Sequence, residues 1–306
     1  MAIDFSKIKT YPLKERKNKV SIKDFSKPNL LTSDFEKALP DILVSKDLKE
    51  LVKAIILARQ KKKQVVMMIG AHVIKTGLSP ILIELMKKKV ITHLAMNGAC
   101  CIHDFELAYI GETSEDVATN LENGKFGMWE ETGRFMNEAI IQGAQKNQGY
   151  AEAIAAKIES MNLKYKEHSI LYNANKYGVT ITAHPAIGTE IIHQHPTCDG
   201  AAIGKTSYED FKRFADTVSK LQGGVILNIG SSVIMPEVFV KALTIARNLG
   251  NNVSTFTSAN FDMIFHYRPH MNVVERPTLK GGKGYTIMGH HEIMLPLLAS
   301  MILRKL

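Results

Sequence analysis

Five times along this chain a run of apolar or β-branched residues ends in a turn of small residues carrying a polar group. The turns are Gly70-Ala71-His72, Asn97-Gly98-Ala99, His184-Pro185-Ala186, Gly230-Ser231-Ser232 and Ser258-Ala259-Asn260. The runs before them, residues 64–69, 90–95, 179–183, 224–229 and 252–258, read as strands. Segments of helical spacing alternate with them. Residues 46–60 place Leu48, Leu51, Val52, Ile55 and Ile56 on one face, and residues 208–221, 237–249 and 292–303 read as helices. Alternating strand and helix implies parallel strands joined by right-handed crossovers, so the expected class is α/β. In open sheets of this kind ligands bind outside the carboxyl ends of the strands. Five such turns on one edge describe a crevice long enough for a dinucleotide, although none of them is the G-x-G-x-x-G fingerprint.

With 306 residues, 45% of them hydrophobic, the chain can bury a sizeable core. Residues 1–45 are charged and punctuated by Pro12, Pro28 and Pro40, and they read as an extended arm able to wrap a neighbour. Residues 46–306 read as a single domain, with residues 269–289 a Gly/Pro-rich loop. No apolar run reaches the ~18 residues of a membrane span, and residues 1–12 do not have the make-up of a secretion signal. The only thiols are Cys100, Cys101 and Cys198, a poor disulfide framework that suits a reducing cytoplasm. The net charge is +9, but residues 1–100 hold 20 Lys and Arg against 9 Asp and Glu, while residues 101–200 hold 7 against 14. The basic runs at 61–63 and 87–89 fall at expected helix ends, where cations suit the helix dipole. They lack the interleaved aromatics of a nucleic-acid face. The acidic middle third suits a cationic ligand.

That third contains the stretch Met96-Asn97-Gly98-Ala99-Cys100-Cys101-Ile102-His103-Asp104-Phe105-Glu106. Residues 97–100 form a strand-to-helix turn where backbone N–H groups can meet a ligand closely. His103 and Asp104 bring a base and a carboxylate to the same mouth, and Glu190 is a second candidate anchor for an amine, held by charge-assisted hydrogen bonds. His193-x-His195, with His184 upstream, offers a start for a metal site whose remaining ligands cannot be named. Of the adjacent His290 and His291, at most one can enter a site. Cys100 and Cys101 sit where a helix N-terminus lowers a thiol's pKa; small size beside a phosphate is the alternative role.

These stretches also carry a resemblance. Asn97-Gly98-Ala99-Cys100-Cys101-Ile102-His103-Asp104, following Gly70-Ala71-His72-Val73-Ile74-Lys75-Thr76-Gly77, resembles the deoxyhypusine synthase family, in particular its bacterial synthase-like branch. The resemblance implies a doubly wound, mostly parallel, Rossmann-like sheet with helices on both faces, NAD as cofactor and a homotetramer. The synthases oxidise spermidine with NAD and pass its aminobutyl group through an imine to an acceptor lysine. By resemblance Gly70, Ala71, His72, Asn97, Gly98, Ala99, Cys100, Gly230, Ser231, Ser258, Ala259 and Asp262 match NAD contacts, and His184 and His290 stand near two further cofactor positions. Asp104 and Glu190 match substrate-binding carboxylates, and His103 stands where the family has a glutamate in the polyamine pocket. The family's Trp-Gly-Lys segment is not matched. Pro277 falls about where its imine-forming lysine stands, and Lys280 and Lys283 are the nearest amines. The expectation is an NAD-dependent alkyl transferase on a polyamine or related amine, distinct from true deoxyhypusine synthesis. His103 and Lys283 are its expected catalytic residues. The alternatives are an NAD-binding member without turnover and a metal-dependent hydrolase.

Overall fold

The computed structural model describes residues 5–25 and 39–306. A short β1 (Asn18–Ser21) precedes α1 (Leu43–Gln60), β2 (Val65–Ile69), α2 (Ala71–Lys75), α3 (Ser79–Lys87) and β3 (His93–Asn97). Then come α4 (Gly98–Ile110), β4 (Glu112–Glu115), α5 (Val117–Glu122), α6 (Glu130–Gln145), α7 (Tyr150–Ser160), α8 (Ile170–Tyr177) and β5 (Thr180–His184). The second half holds α9 (Gly200–Ser219), β6 (Val225–Ile229), α10 (Ile234–Asn248), β7 (Thr257–Asp262), β8 (Lys283–Met288) and α11 (His291–Leu303).

Six strands form one parallel sheet in the order β5-β3-β2-β6-β7-β8. Numbered in chain order these strands run 3-2-1-4-5-6, the doubly wound Rossmann arrangement, whose order reverses between β2 and β6. Every residue of β2 and of β6 is buried, as strands covered on both faces must be. Successive side chains point to opposite faces. Val65, Met67 and Ile69 therefore join the core beneath α1, α3, α4 and α11, while Val66 and Met68 join the core beneath α9 and α10.

The expected strands appear with two displacements. The strand expected at residues 252–258 begins at Thr257 and runs to Asp262, so Ser258-Ala259-Asn260 lies within β7 and is not the turn after it. Residues 269–289 are not a loop. A helical run over residues 267–278, π-helical at His270–Glu275, leads into β8. Only Ile287 of β8 is buried, so this edge strand carries no apolar run to announce it.

The arm lies on its own chain as far as it is described. β1 pairs antiparallel with β4, and the Tyr11 backbone is stitched to Met128 and Glu130 by two hydrogen bonds of 2.7 Å. The rest of the expected arm, residues 1–4 and 26–38, is outside the described residues. No described helix is long and apolar enough to cross a membrane.

Candidate active site

Two neighbouring features occupy the carboxyl edge of the sheet. The first is the switch point between β2 and β6. A Cβ on Gly70 would come 2.0 Å from the Gly230 carbonyl oxygen, so only glycine allows the two strand ends to close this tightly. Above them the half-buried His72 ring meets His291 edge-on at 5.5 Å. Burial, then the neighbouring His291 and Lys75, lowers the His72 pKa. His291 Nε2 is 3.3 Å from the Phe261 carbonyl oxygen, and its Nδ1 is buried without a hydrogen-bond partner. Asp262 ends β7 and accepts from the Met263 N–H. Ser231 Oγ accepts from Met235 N and so serves the first turn of α10.

The second feature is a pocket of about 230 Å³ beside β3 and β5. Its ionisable lining comprises Arg16, Lys75, His103, Glu106, Glu115 and Glu190. α4 positions four of the lining residues, Ala99, Ile102, His103 and Glu106. Asn97 caps it by accepting from Cys100 N at 3.2 Å, and Gly111 closes it in the left-handed conformation. Residues 99, 103 and 106 then share one helical face.

On that face Glu106 is held by Arg16, which donates twice at 2.8 and 2.7 Å, and by the Thr113 and Thr132 hydroxyls. Burial would raise the Glu106 pKa, but the guanidinium beside it keeps the carboxyl below the usual range. Thr113 spends its proton on Glu106, an acceptor only. Its oxygen must therefore accept from His103 Nδ1, 2.7 Å away. Burial pushes His103 down to about 4, so the ring is neutral at physiological pH and Nε2 carries its free lone pair.

Glu190 enters from the segment after β5. Its carboxyl packs against Gly98, where a Cβ would lie 2.6 Å from Oε1. The Ala186 N–H approaches Oε1 at 3.4 Å, and Oε2 is buried with no hydrogen-bond partner. His193 Nδ1 stands 3.2 Å from Oε2, but that nitrogen accepts from the Gly188 N–H. It offers a lone pair and no compensating proton. Burial accordingly pushes Glu190 up to about 7.

The structure brings His103, Ala99 and Glu190 to the pocket, and Gly70, Ala71, His72, Gly230, Ser231 and Asp262 to the neighbouring edge. It moves other expected residues away. Asp104 is wholly buried on the opposite side of α4 and is not an ammonium anchor there. Its carboxylate accepts from Ser169 Oγ and from the Ile170 and Leu171 N–H groups at the start of α8. Lys283 opens β8 at the amino edge of the sheet, with its exposed side chain 3.6 Å from Glu50. Lys280 lies in the turn before it. Ser258 and Ala259 are sealed inside β7, well below the carboxyl edge.

His184 turns under the sheet onto Phe214, bonds Thr182 and is pushed by burial to about 3. His290 is the exposed residue before α11, whereas His291 faces inward. Burial raises both the Cys100 and Cys101 thiols, opposite to what a nucleophile needs. Among the described residues no three His, Cys, Asp or Glu side chains converge as a metal site requires. Nothing in the sequence alone marks Arg16, Lys75 or Thr113 as site residues. For the inward-facing Glu106 the one signal is its i, i+3 spacing from His103.

No family model matches the chain, and no curated protein matches it in sequence. Among solved structures it is similar to a conserved, provisionally named LOR/SDH protein from Methanococcus maripaludis S2. The identity is 15% and the TM-score 0.56, over 85% of this chain and 70% of that one. It is similar to AgrE in its ternary complex with ornithine and NAD+, at 13% identity and TM-score 0.54, over 90% of this chain but 34% of AgrE. This chain thus spans about a third of AgrE's length. It is also similar, at 13% identity and TM-score 0.52, to a provisionally named deoxyhypusine synthase from Entamoeba histolytica. That last likeness covers 97% of both chains. At these identities the likeness is one of fold, and it agrees with the doubly wound sheet.

Proposed function

We propose that this protein is an NAD-dependent enzyme that oxidises a small amine to an imine and transfers the carbon group to an acceptor amine. The observation that carries the reading is Glu190: a buried carboxyl without a counter-charge, in a pocket beside the switch point of a Rossmann sheet. A substrate ammonium supplies the missing charge. The NAD+ complex of the similar AgrE supports the choice of cofactor. The close-packed small residues Gly70, Ala71, Gly230 and Ser231, together with the unpartnered His291 Nδ1, fit a dinucleotide.

Those residues with His72 and Asp262 would hold NAD, which when bound supplies a hydride acceptor. Glu190 orients the amine. His103, neutral and tied through Thr113 to the fixed Glu106, presents Nε2 to accept the proton that leaves as the C–N double bond forms. Glu106 itself stays ionised against Arg16 and holds the His103 tautomer. The cytoplasmic location is supported by the three thiols, a poor disulfide framework, and the homotetramer and the transfer half-reaction by the family resemblance, with no pocket residue in the place of its lysine segment. A cofactor-binding protein without turnover is the second reading, favoured by Lys283 standing at the far edge of the sheet.

Calorimetric titration with NAD, followed by amine addition and detection of reduced nicotinamide, tests the proposal. Binding and reduction are expected; absence of NAD binding contradicts it.

A further inference from the structure

The ionisable lining of the pocket does not cancel. Arg16 and Glu106 neutralise each other in a doubly hydrogen-bonded pair. Glu115 accepts from Asn120 Nδ2 at 2.8 Å and from the Gly127 N–H at 3.1 Å. His103 is committed to Thr113 through Nδ1 and is neutral. Two groups remain. Glu190 Oε2 is buried and unpartnered. The half-buried Lys75 side chain, at the end of α2, makes no hydrogen bond or ion pair with any described residue. An unpaired cation and an unpaired carboxyl in a cavity of about 230 Å³ are complementary to a ligand carrying both charges. A polyamine would meet Glu190 well but place its second ammonium in a pocket already holding Lys75.

We propose that the pocket takes a small zwitterion bearing an ammonium and a carboxylate, with Glu190 receiving the ammonium and Lys75 the carboxylate. This rests on the proposed amine chemistry and narrows it from polyamines to amino acids. Lys75 is thereby a specificity-determining residue. Fixed charges of opposite sign at separate points also set the ligand's direction, so its amine-bearing carbon is delivered to the Glu190 and His103 side. Carboxylate capture by a single ammonium is worth about one charge-assisted hydrogen bond, roughly a tenfold change in affinity.

The test is calorimetric binding to the full chain, with NAD present, of two ligands of equal length: an unbranched diaminoalkane and the α,ω-diamino carboxylic acid with the same carbon chain. Wild type, Lys75→Met, Lys75→Glu and Glu190→Gln are compared, with thermal melting to confirm folding. Wild type should prefer the amino acid by about tenfold, and Lys75→Met should erase that preference. Lys75→Glu should reverse it, because two carboxyls then face two ammoniums. Glu190→Gln should weaken both ligands. A wild-type preference for the diamine, or Lys75 variants that leave the preference unchanged, overturns the inference and leaves the amine reading standing. Failure of both ligands to bind overturns both.

Discussion

Glu106 and Glu190 line the same pocket, and at 1% and 7% exposure they are almost equally buried. Their surroundings differ completely. Glu106 faces a guanidinium and two hydroxyls, so its charge is fully compensated inside the protein. Glu190 faces Gly98, neutral donors from Ala186, Thr189 and its own backbone, and the lone pair of a neutral imidazole; no cation stands beside it, so its charge is not. The first carboxylate is a fixed part of the wall, and the second is an incomplete interaction awaiting a partner. Burial alone therefore does not distinguish structure from function here; the presence or absence of a counter-charge does.

The largest effect should come from breaking the compensated side. Arg16→Met leaves Glu106 buried and unpaired and should cost about 3–5 kcal/mol, read by urea unfolding. It should also release the arm from β4 and free the His103 tautomer. A cost near zero would mean that water reaches Glu106.

On the uncompensated side the sign reverses. The folded value of Glu190, about 7, lies above that of an unfolded carboxyl, so the unfolded state gives up its proton first. Its contribution to stability is greatest at low pH and is lost as pH rises from about 4 to about 7. Glu190→Gln should therefore stabilise the protein at pH 8 by about 1–3 kcal/mol, with no gain near pH 4, while weakening amine binding. Thermal melts across that range check the sign. Destabilisation at pH 8 would show that Glu190 has a partner.

Asp104 sharpens the contrast further. Asp104→Asn should cost about 1–2 kcal/mol through the start of α8, with amine affinity unchanged. An affinity loss without a stability loss would return it to the pocket. The smallest effect belongs to Lys283→Ala, whose exposed ion pair with Glu50 is screened by solvent and contributes little to stability. Turnover should not change.

These contrasts show where sequence reading succeeds and where it stops. β2 and β6 declare themselves because a strand covered on both faces is apolar throughout, and the small-residue turns after them place the crevice. β8 hides because an edge strand with one buried residue has no such pattern. The π-helical run hides because Pro269 and Pro277 read as breakers. Asp104 follows His103 and so reads from sequence as part of the mouth, yet residues 103 and 106 share a helical face and residue 104 does not. α4 buries residues all round, so composition could not say which face meets the pocket. Arg16 lies 90 positions from Glu106, in a charged arm where one arginine looks like any other. Glu190 reads from sequence as a candidate anchor, but only the fold reveals that it lacks a counter-charge.

The central claim is that Glu190 waits, protonated at mildly acidic pH, for a ligand ammonium. Calorimetry of amine binding to the protein loaded with reduced NAD, which cannot accept a hydride, at about pH 6 in two buffers of different ionisation enthalpy measures protons exchanged on binding alone. Close to one proton released per ammonium bound, and none in Glu190→Gln, is the predicted result. Binding with no proton release in wild type, or release that persists in Glu190→Gln, would contradict it.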